Sequence, residues 1–224
     1  MTTFLIMQTR ITDEIVRDDL ASQIKNAINT AITTWEGIRF SFNEATYLQT
    51  TAHGIEFYPF GGGGSLTYRD GTTALGTGET MLEIDSITAT VNNTFYPLTP
   101  RTKQWFDRNS APASQYMGQP DSYAVYADGT LRLFPVPDAT YSLTIYGMRR
   151  LPPSPLTLDT DTNSWMTEGE ALIRQQAKYI IYRDVVRDPD GKALASEGIQ
   201  EAQWQLERKM AARAYTGSQR AWSL

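Results

Sequence analysis

The sequence predicts an α+β fold, with a helical bundle built from one N-terminal helix and two C-terminal helices around a central antiparallel β domain of sandwich or barrel-like form. Three observations lead there. Apolar residues recur at helical spacing up to Trp35, and the period changes to two immediately after Gly37. Helical spacing returns near Asn163, beyond a Pro-rich stretch. Between these points, turn dipeptides separate short apolar runs. The expected division is residues 1–37 and 164–215 as the helical bundle, 38–151 as the β-rich domain, 152–163 as a connecting strap and 216–224 as an extended C-terminal tail.

The first helix is expected over Thr12–Glu36. Thr12 is a natural N-cap, and Asp13 and Glu14 fall in the first turn, where the helix dipole favours anions. Ile15, Leu20, Ile24, Ile28, Ile32 and Trp35 keep one stripe on one face, with Ala27 and Ala31 beside it. Gly37 suits the position after the helix. Such a rod is roughly 35 Å long. Ile38, Phe40 and Phe42 then alternate with polar residues, the mark of a half-buried strand.

Further strands are expected at Thr46–Thr50, Ile55–Tyr58, Ser65–Arg69, Met81–Asp85, Ile87–Val91 and Phe95–Leu98. Asp70-Gly71, Asn92-Asn93 and Asp128-Gly129 are hairpin turn signals. Thr99-Pro100 suits the opening of a short helix over Arg101–Asp107. Ser122–Ala127, Thr130–Phe134 and Tyr141–Tyr146 read as a meander, followed by the extended strap Leu151–Asn163. Helix resumes at Asn163 or Ser164 with Leu172, Ala177, Ile180, Ile181 and Val185 on one stripe, and Asp188-Pro189-Asp190-Gly191 reads as its stop. A last helix is expected from Lys192 to Tyr215, with Leu194, Ile199, Ala202, Leu206 and Met210 inward and Gly217 ending it. Among the aromatics, Phe40, Phe42, Phe57, Phe95 and Tyr146 are expected in the core, while Tyr116, Tyr123 and Tyr126 fit either a core or a binding platform.

Composition removes several classes of function. The 224 residues include 20 Lys+Arg and 25 Asp+Glu, a formal charge of −5, with one His and no Cys. There is no thiolate zinc site, no Cys nucleophile and no His pair for a metal. An acidic chain does not coat nucleic acid through its net charge. No run of apolar residues is long enough to span a membrane. The start, MTTFLIMQTR, lacks the basic residue and long apolar region of a signal peptide.

Individual motifs favour plain readings. Gly61, Gly62, Gly63 and Gly64 lack the GK[ST] of a phosphate loop and read as a loop or hairpin tip. Asp159, Asp161, Asn163 and Glu170 fall at calcium-loop positions, but Ser164 stands where that loop needs glycine and the preceding segment is Pro-rich. A polar turn capping the next helix is the favoured reading. His53 sits in an expected turn with no nucleophile elbow nearby. Asp18-Asp19 reads as a solvated face, and Glu83 with Asp85 as an ordinary strand surface, so no carboxylate pair supports glycoside hydrolysis. No catalytic, metal or cofactor-binding residue is expected. The tail places Trp222 and Leu224 on a polar terminal stretch with Arg220 beside them. Two readings stand equally: an anchor on a partner, since Trp and Arg dominate interface hot spots, or a tail folded onto its own chain.

The order of elements, TTWEGIRFSFNEATYLQTT, then GQPDSYAVYADGTLRLFPVPDATYSLTIYGMRRL, then an NSW helix opening and two helices split by RDPDG, resembles the head-to-tail adaptor proteins of tailed bacteriophages, most closely the tail-tube adaptors of short-tailed phages. The motifs are Trp35, Phe40 and Phe42 at the junction, and Gly118, Pro120, Leu131, Leu133, Pro135, Pro137, Asp138 and Tyr141 in the β run. The likeness covers roughly Thr12 to Tyr215. It implies a structural virion protein rather than an enzyme, without cofactor, assembled in the host cytoplasm and placed at the head–tail junction. Such proteins form a homo-oligomeric ring, typically a dodecamer, beneath the portal. They extend the DNA channel for genome retention and ejection, pass DNA without reading its sequence, and dock a tail nozzle protein. Carried onto this chain, the resemblance makes Arg220, Trp222 and Leu224 the portal-binding candidates. It places subunit contacts on helices 12–36, 165–187 and 192–215, and leaves loop 61–64 as a nozzle- or channel-facing candidate. The competing readings are a tail nozzle or tail-completion protein, and a carbohydrate-binding, receptor-contacting β module.

Overall fold

The computed structural model describes residues 2–59, 67–68, 80–109, 116–126 and 129–221. In chain order these form α1 (Phe4–Ile15), α2 (Ala21–Trp35), β1 (Glu44–Thr50), β2 (Phe57–Pro59), β3 (Thr67–Tyr68), β4 (Thr80–Val91), β5 (Thr94–Pro97), β6 (Thr99–Pro100), α3 (Lys103–Asn109), β7 (Met117–Gly118), β8 (Ser122–Val125), β9 (Thr130–Phe134), β10 (Val136–Pro137), β11 (Ser142–Arg150), α4 (Ser164–Thr167), α5 (Glu170–Ile181) and α6 (Pro189–Ala221). A π-helical segment, Tyr182–Val186, separates α5 from α6. The fold is α+β. The chain gathers into two compact units, Met1–Asn43 with Pro153–Leu224, and Glu44–Pro152.

In the helical unit, two helices stand where one was expected over Thr12–Glu36. α1 opens at Phe4, where the Thr3 hydroxyl accepts the Ile6 N–H at 3.4 Å. Phe4, Met7, Ile11 and Ile15 line its buried face at steps of three and four. Thr12 is therefore interior to α1 and donates its hydroxyl to the Gln8 carbonyl at 3.0 Å instead of capping. α1 ends at Val16, whose left-handed backbone (φ 53°) no β-branched residue signals in advance. α2 then buries Ile24, Ala27, Ile28, Ala31, Ile32 and Trp35, the stripe that helical periodicity predicts. It closes at Glu36 in the right-handed region, so Gly37 supplies no left-handed cap. The strand expected at Ile38–Phe42 is a turn.

The expected helix 165–187 is divided. Asn163 caps α4 by accepting the N–H groups of Trp165 (3.0 Å) and Met166 (3.3 Å). At Gly169, between α4 and α5, a Cβ would meet the Trp165 ring at 3.0 Å. α5 buries Leu172, Ile173, Ala177 and Ile181, while Val185 is exposed. The break before α6 falls at Arg187 (φ 58°), not across Asp188–Gly191. Pro189 is the first residue of α6, where a missing N–H costs no helical bond. The Asp188 carboxylate accepts the Asp190 N–H at 3.0 Å. α6 runs for 33 residues, through Gly217 to Ala221, so the expected extended tail is helical as far as Ala221. Its inward stripe is Ala195, Ala202 and Leu206, with Ile199 and Met210 half-buried, while Leu194 points outward at 70% exposure. At Gly198 a Cβ would lie 2.7 Å from the Gln175 side chain, so α5 and α6 approach closely there.

In the β-rich unit, a five-stranded sheet has the order β3-β1-β11-β4-β5 and a four-stranded sheet the order β2-β9-β8-β6, and β7 and β10 pair in parallel. Tyr47, Ile87, Leu143 and Ile145 from the first sheet share one buried cluster with Tyr58, Tyr123, Leu131 and Leu133 from the second. The expected meander is therefore broken. β8 and β9 do pair, but β11 lies between β1 and β4 in the other sheet. Met81–Asp85 and Ile87–Val91 form one strand, and the β4–β11 pairing skips Leu82 and Asp85 as bulges. Asn92 (φ 49°) and Asn93 (φ 62°) make the two-residue β4–β5 turn that their sequence signals. Thr99-Pro100 is strand β6, parallel to β8, and α3 begins later, with the Thr102 hydroxyl accepting the Trp105 N–H at 3.2 Å.

Candidate assembly surfaces

The aromatic junction is explained by packing, not by strand alternation. The Phe40 and Phe42 rings stack at 5.4 Å, and both meet Trp165 edge-on, at 5.4 and 4.9 Å. Phe40 and Trp165 are buried and Phe42 is half-buried. Asn43 holds the turn: its carbonyl accepts the Phe40 N–H at 2.8 Å and its amide donates to the Ile38 carbonyl at 2.9 Å. Phe40 and Phe42 of the junction and Trp165 of the NSW helix opening thus form one cluster that joins the turn after α2 to the start of α4.

The strap ties the start of α1 to α2. Main-chain carbonyls of Asp161 and Asp159 accept the first free N–H groups of α1, from Phe4 at 2.8 Å and Leu5 at 3.1 Å. Asn29 of α2 bonds both the N–H (2.9 Å) and the carbonyl (3.0 Å) of Leu156. The four residues at calcium-loop positions do not converge on one point. Asp161 accepts the N–H groups of Thr157 and Leu158, Asn163 caps α4, Asp159 pairs with Lys25 at 3.1 Å, and Glu170 is bound by Thr2 and Arg10.

Glu170 begins a ladder of ion pairs between α1 and α5. Arg10 and Arg174 flank it, Arg174 reaches Glu14 at 3.2 Å, and Lys178 reaches Glu14 at 2.7 Å. Burial alone would raise the Glu170 carboxyl, but hydrogen bonds from Thr2 and Arg10, with the charges of Arg10 and Arg174, hold it below its ordinary value. A carboxyl lowered on folding stabilises fully above its unfolded pKa and loses that contribution as pH falls through the folded value. Stability of the helical unit should therefore decline below about pH 4.3. Glu170→Gln should flatten that acid limb in thermal melts, and an unchanged limb would contradict the assignment.

Two helix faces lie open to solvent. The exposed positions of α2 include Ser22, Gln23, Asn26, Thr30, Thr33 and Thr34, and none is charged. Thr30, Thr33 and Thr34 donate to the carbonyls four residues earlier, at 2.9, 3.1 and 2.8 Å. Their donors are already satisfied, so covering this face strands few polar groups. The face of α6 opposite its packed stripe presents Leu194, Glu197, Glu201 and Trp204, and Arg208 lies over the Trp204 ring at 5.3 Å. Trp204 is 58% exposed.

In the β-rich unit, aromatic placement departs from expectation. Phe57, Phe95 and Tyr146 are exposed, and Tyr47, Tyr58 and Tyr123 occupy the core. Phe57 and Tyr58 are adjacent in a strand, so only one can point inward. Tyr58 does so because its hydroxyl finds partners there, accepting the Ala52 N–H at 3.0 Å and donating to the Ile55 carbonyl at 2.9 Å. Of the three tyrosines left open, Tyr116 is exposed and Tyr126 half-buried. The β-run motif is structural. Leu131 and Leu133 fill the core, Gly118 pairs with Pro137, and Asp138 accepts the Tyr141 hydroxyl at 2.6 Å.

Sequence reasoning missed Arg132. This buried guanidinium lies between the rings of Phe57 (5.2 Å) and Phe106 (5.3 Å), donates to Glu56 and to the Tyr126 hydroxyl (3.1 Å), and lies 3.6 Å from Asp107. Its neighbours are Glu56 just before β2, Phe57 at the start of β2, Tyr126 just after β8, and Phe106 and Asp107 of α3, so nothing in the local sequence of β9 announces them. His53 is in an exposed turn, as expected. Among the described residues no group of three His, Asp or Glu side chains could hold a metal. No helix there is long and apolar enough to cross a membrane.

The portal-binding candidates fall at the edge of the structure. Arg220 is on the α6 backbone, but its side chain and all of Trp222 and Leu224 lie outside the described residues, as do Gly61, Gly62, Gly63 and Gly64. Residues 2–223 match the family model described as SU10 adaptor protein. No curated protein matches the chain.

Proposed function

Because the chain belongs to the SU10 adaptor protein family, a family of structural phage adaptors, we propose that it forms a ring joining the portal to the tail of the virion. The single observation that carries this reading is a family match over nearly the whole chain, residues 2–223. The ring is a dodecamer assembled in the host cytoplasm onto the portal after packaging. It extends the DNA channel and presents the tail nozzle protein with a docking surface. The uncharged face of α2 supports side-by-side packing of copies, because it can be covered at low desolvation cost, and the exposed Trp204 of α6 supplies an apolar contact. A heterologous interface closes into a ring only if each copy fixes the rotation of the next, which packed helices can do. A formal charge of −5 suits a conduit that lets duplex DNA slide during ejection instead of retaining it. The domain roles follow: helices toward neighbours and portal, β-rich unit toward the tail, and residues 216–224 as the portal anchor.

The test is to mix the purified protein with candidate portal rings and image the products by electron microscopy, with and without residues 218–224. Full-length chain should add a ring beneath the portal, and the truncated chain should lose attachment. A protein that stays monomeric with portal would overturn the ring. Unchanged attachment after truncation would remove the anchor.

A further inference from the structure

The β-rich unit carries 7 Lys+Arg against 10 Asp+Glu, a net charge of −3, yet its cations are not spread evenly. Arg101, Lys103 and Arg108 are exposed on and just before α3, and none of them forms an ion pair with a described residue. Asp107, the acidic side chain of α3, is turned toward Arg132. The aromatic rings of this surface are linked. Trp105 and Phe106 meet Phe134 at 5.4 and 6.2 Å, and Tyr116 meets Phe134 at 6.1 Å. Arg101 lies over Trp105 at 5.1 Å, and Lys103 over Tyr126 at 5.3 Å. Beside them opens a cavity of about 340 Å³. Its lining combines the apolar Met81, Leu82, Ile84 and Val125 with Glu83 and, on the α3 side, Arg101. Val125 is 48% exposed, so the apolar wall reaches the surface.

We infer that this surface docks an acidic protein segment carrying one apolar anchor residue, with the anchor in the cavity and the acidic groups on Arg101, Lys103 and Arg108. Charge complementarity selects the occupant: a local cationic patch on an otherwise acidic unit attracts carboxylates. Trp, Tyr and Arg around an apolar recess make the arrangement that concentrates binding energy. Nucleic acid fits less well. The faces of Trp105 and Tyr126 that would stack on bases are covered by cations, and a phosphate backbone offers nothing apolar to fill the cavity. The inference rests on the adaptor reading, in which this unit meets another virion protein, and gives that partner its chemistry.

Fluorescence anisotropy tests it with the full-length protein and three probes: a labelled Asp/Glu-rich peptide with one central leucine, its serine analogue, and a short DNA duplex. The leucine peptide should bind saturably and about tenfold more tightly than the serine analogue, roughly the value of one buried aliphatic side chain. Charge reversal at Arg101→Glu with Lys103→Glu should remove binding. Val125→Glu, at the exposed rim, should erase the leucine preference without removing the residual acidic affinity. Equal binding of leucine and serine peptides, tighter binding of the duplex, or no peptide binding would each overturn it. Ring formation with portal, measured separately on the same variants, should be unchanged, so failure here is distinct from failure of the adaptor reading.

Discussion

Replacing Trp165 by alanine should destabilise the helical unit by about 3–5 kcal/mol, the usual cost of deleting a buried aromatic side chain. Trp165 is 1% exposed and holds two rings at once, Phe40 and Phe42, both edge-on. Its loss leaves a cavity between the turn after α2 and the start of α4. The turn cannot close that cavity readily, because the Asn43 side chain fixes it through two hydrogen bonds to the main chain. Chemical denaturation should show a lower midpoint with an unchanged slope. A loss below about 1 kcal/mol would mean that the junction collapses around the gap and that the three rings are not a unit. Because the cluster sets how α2 meets α4, the same variant should also weaken ring assembly.

Gly147→Ala should cost about 3 kcal/mol, the upper end of what an inserted methyl group costs in a packed site. Gly147 faces a bulge in β4, where a Cβ would come within 2.1 Å of the Glu83 carbonyl oxygen. A flexible side chain could move aside, but a main-chain carbonyl held in the β4–β11 ladder cannot. The methyl group must displace the strand or break its pairing. Gly37→Ala is the matched control, since nothing lies within 4 Å of a Cβ there. It should change stability by no more than about 0.5 kcal/mol. Equal midpoints for the two variants would refute the close approach at the bulge.

The amino-acid sequence on its own determined the α+β class, the buried stripe Ile24-Ala27-Ile28-Ala31-Ile32-Trp35, a polar turn capping the helix after the strap and the Asn92-Asn93 turn. Each is a local matter: a period, a cap or a turn preference is written in a few consecutive residues. Tertiary structure alone decided the rest. Val16 turns left-handed and divides a helix that periodicity reads as continuous. The choice of Tyr58 over Phe57 for the interior depended on partners for a hydroxyl, and the placement of β11 depended on β1 and β4, far away in sequence. The Arg132 cluster and the cavity beside Arg101 likewise draw residues from separate elements. Burial, register and charge placement are properties of residues brought together by folding, so no window of sequence contains them.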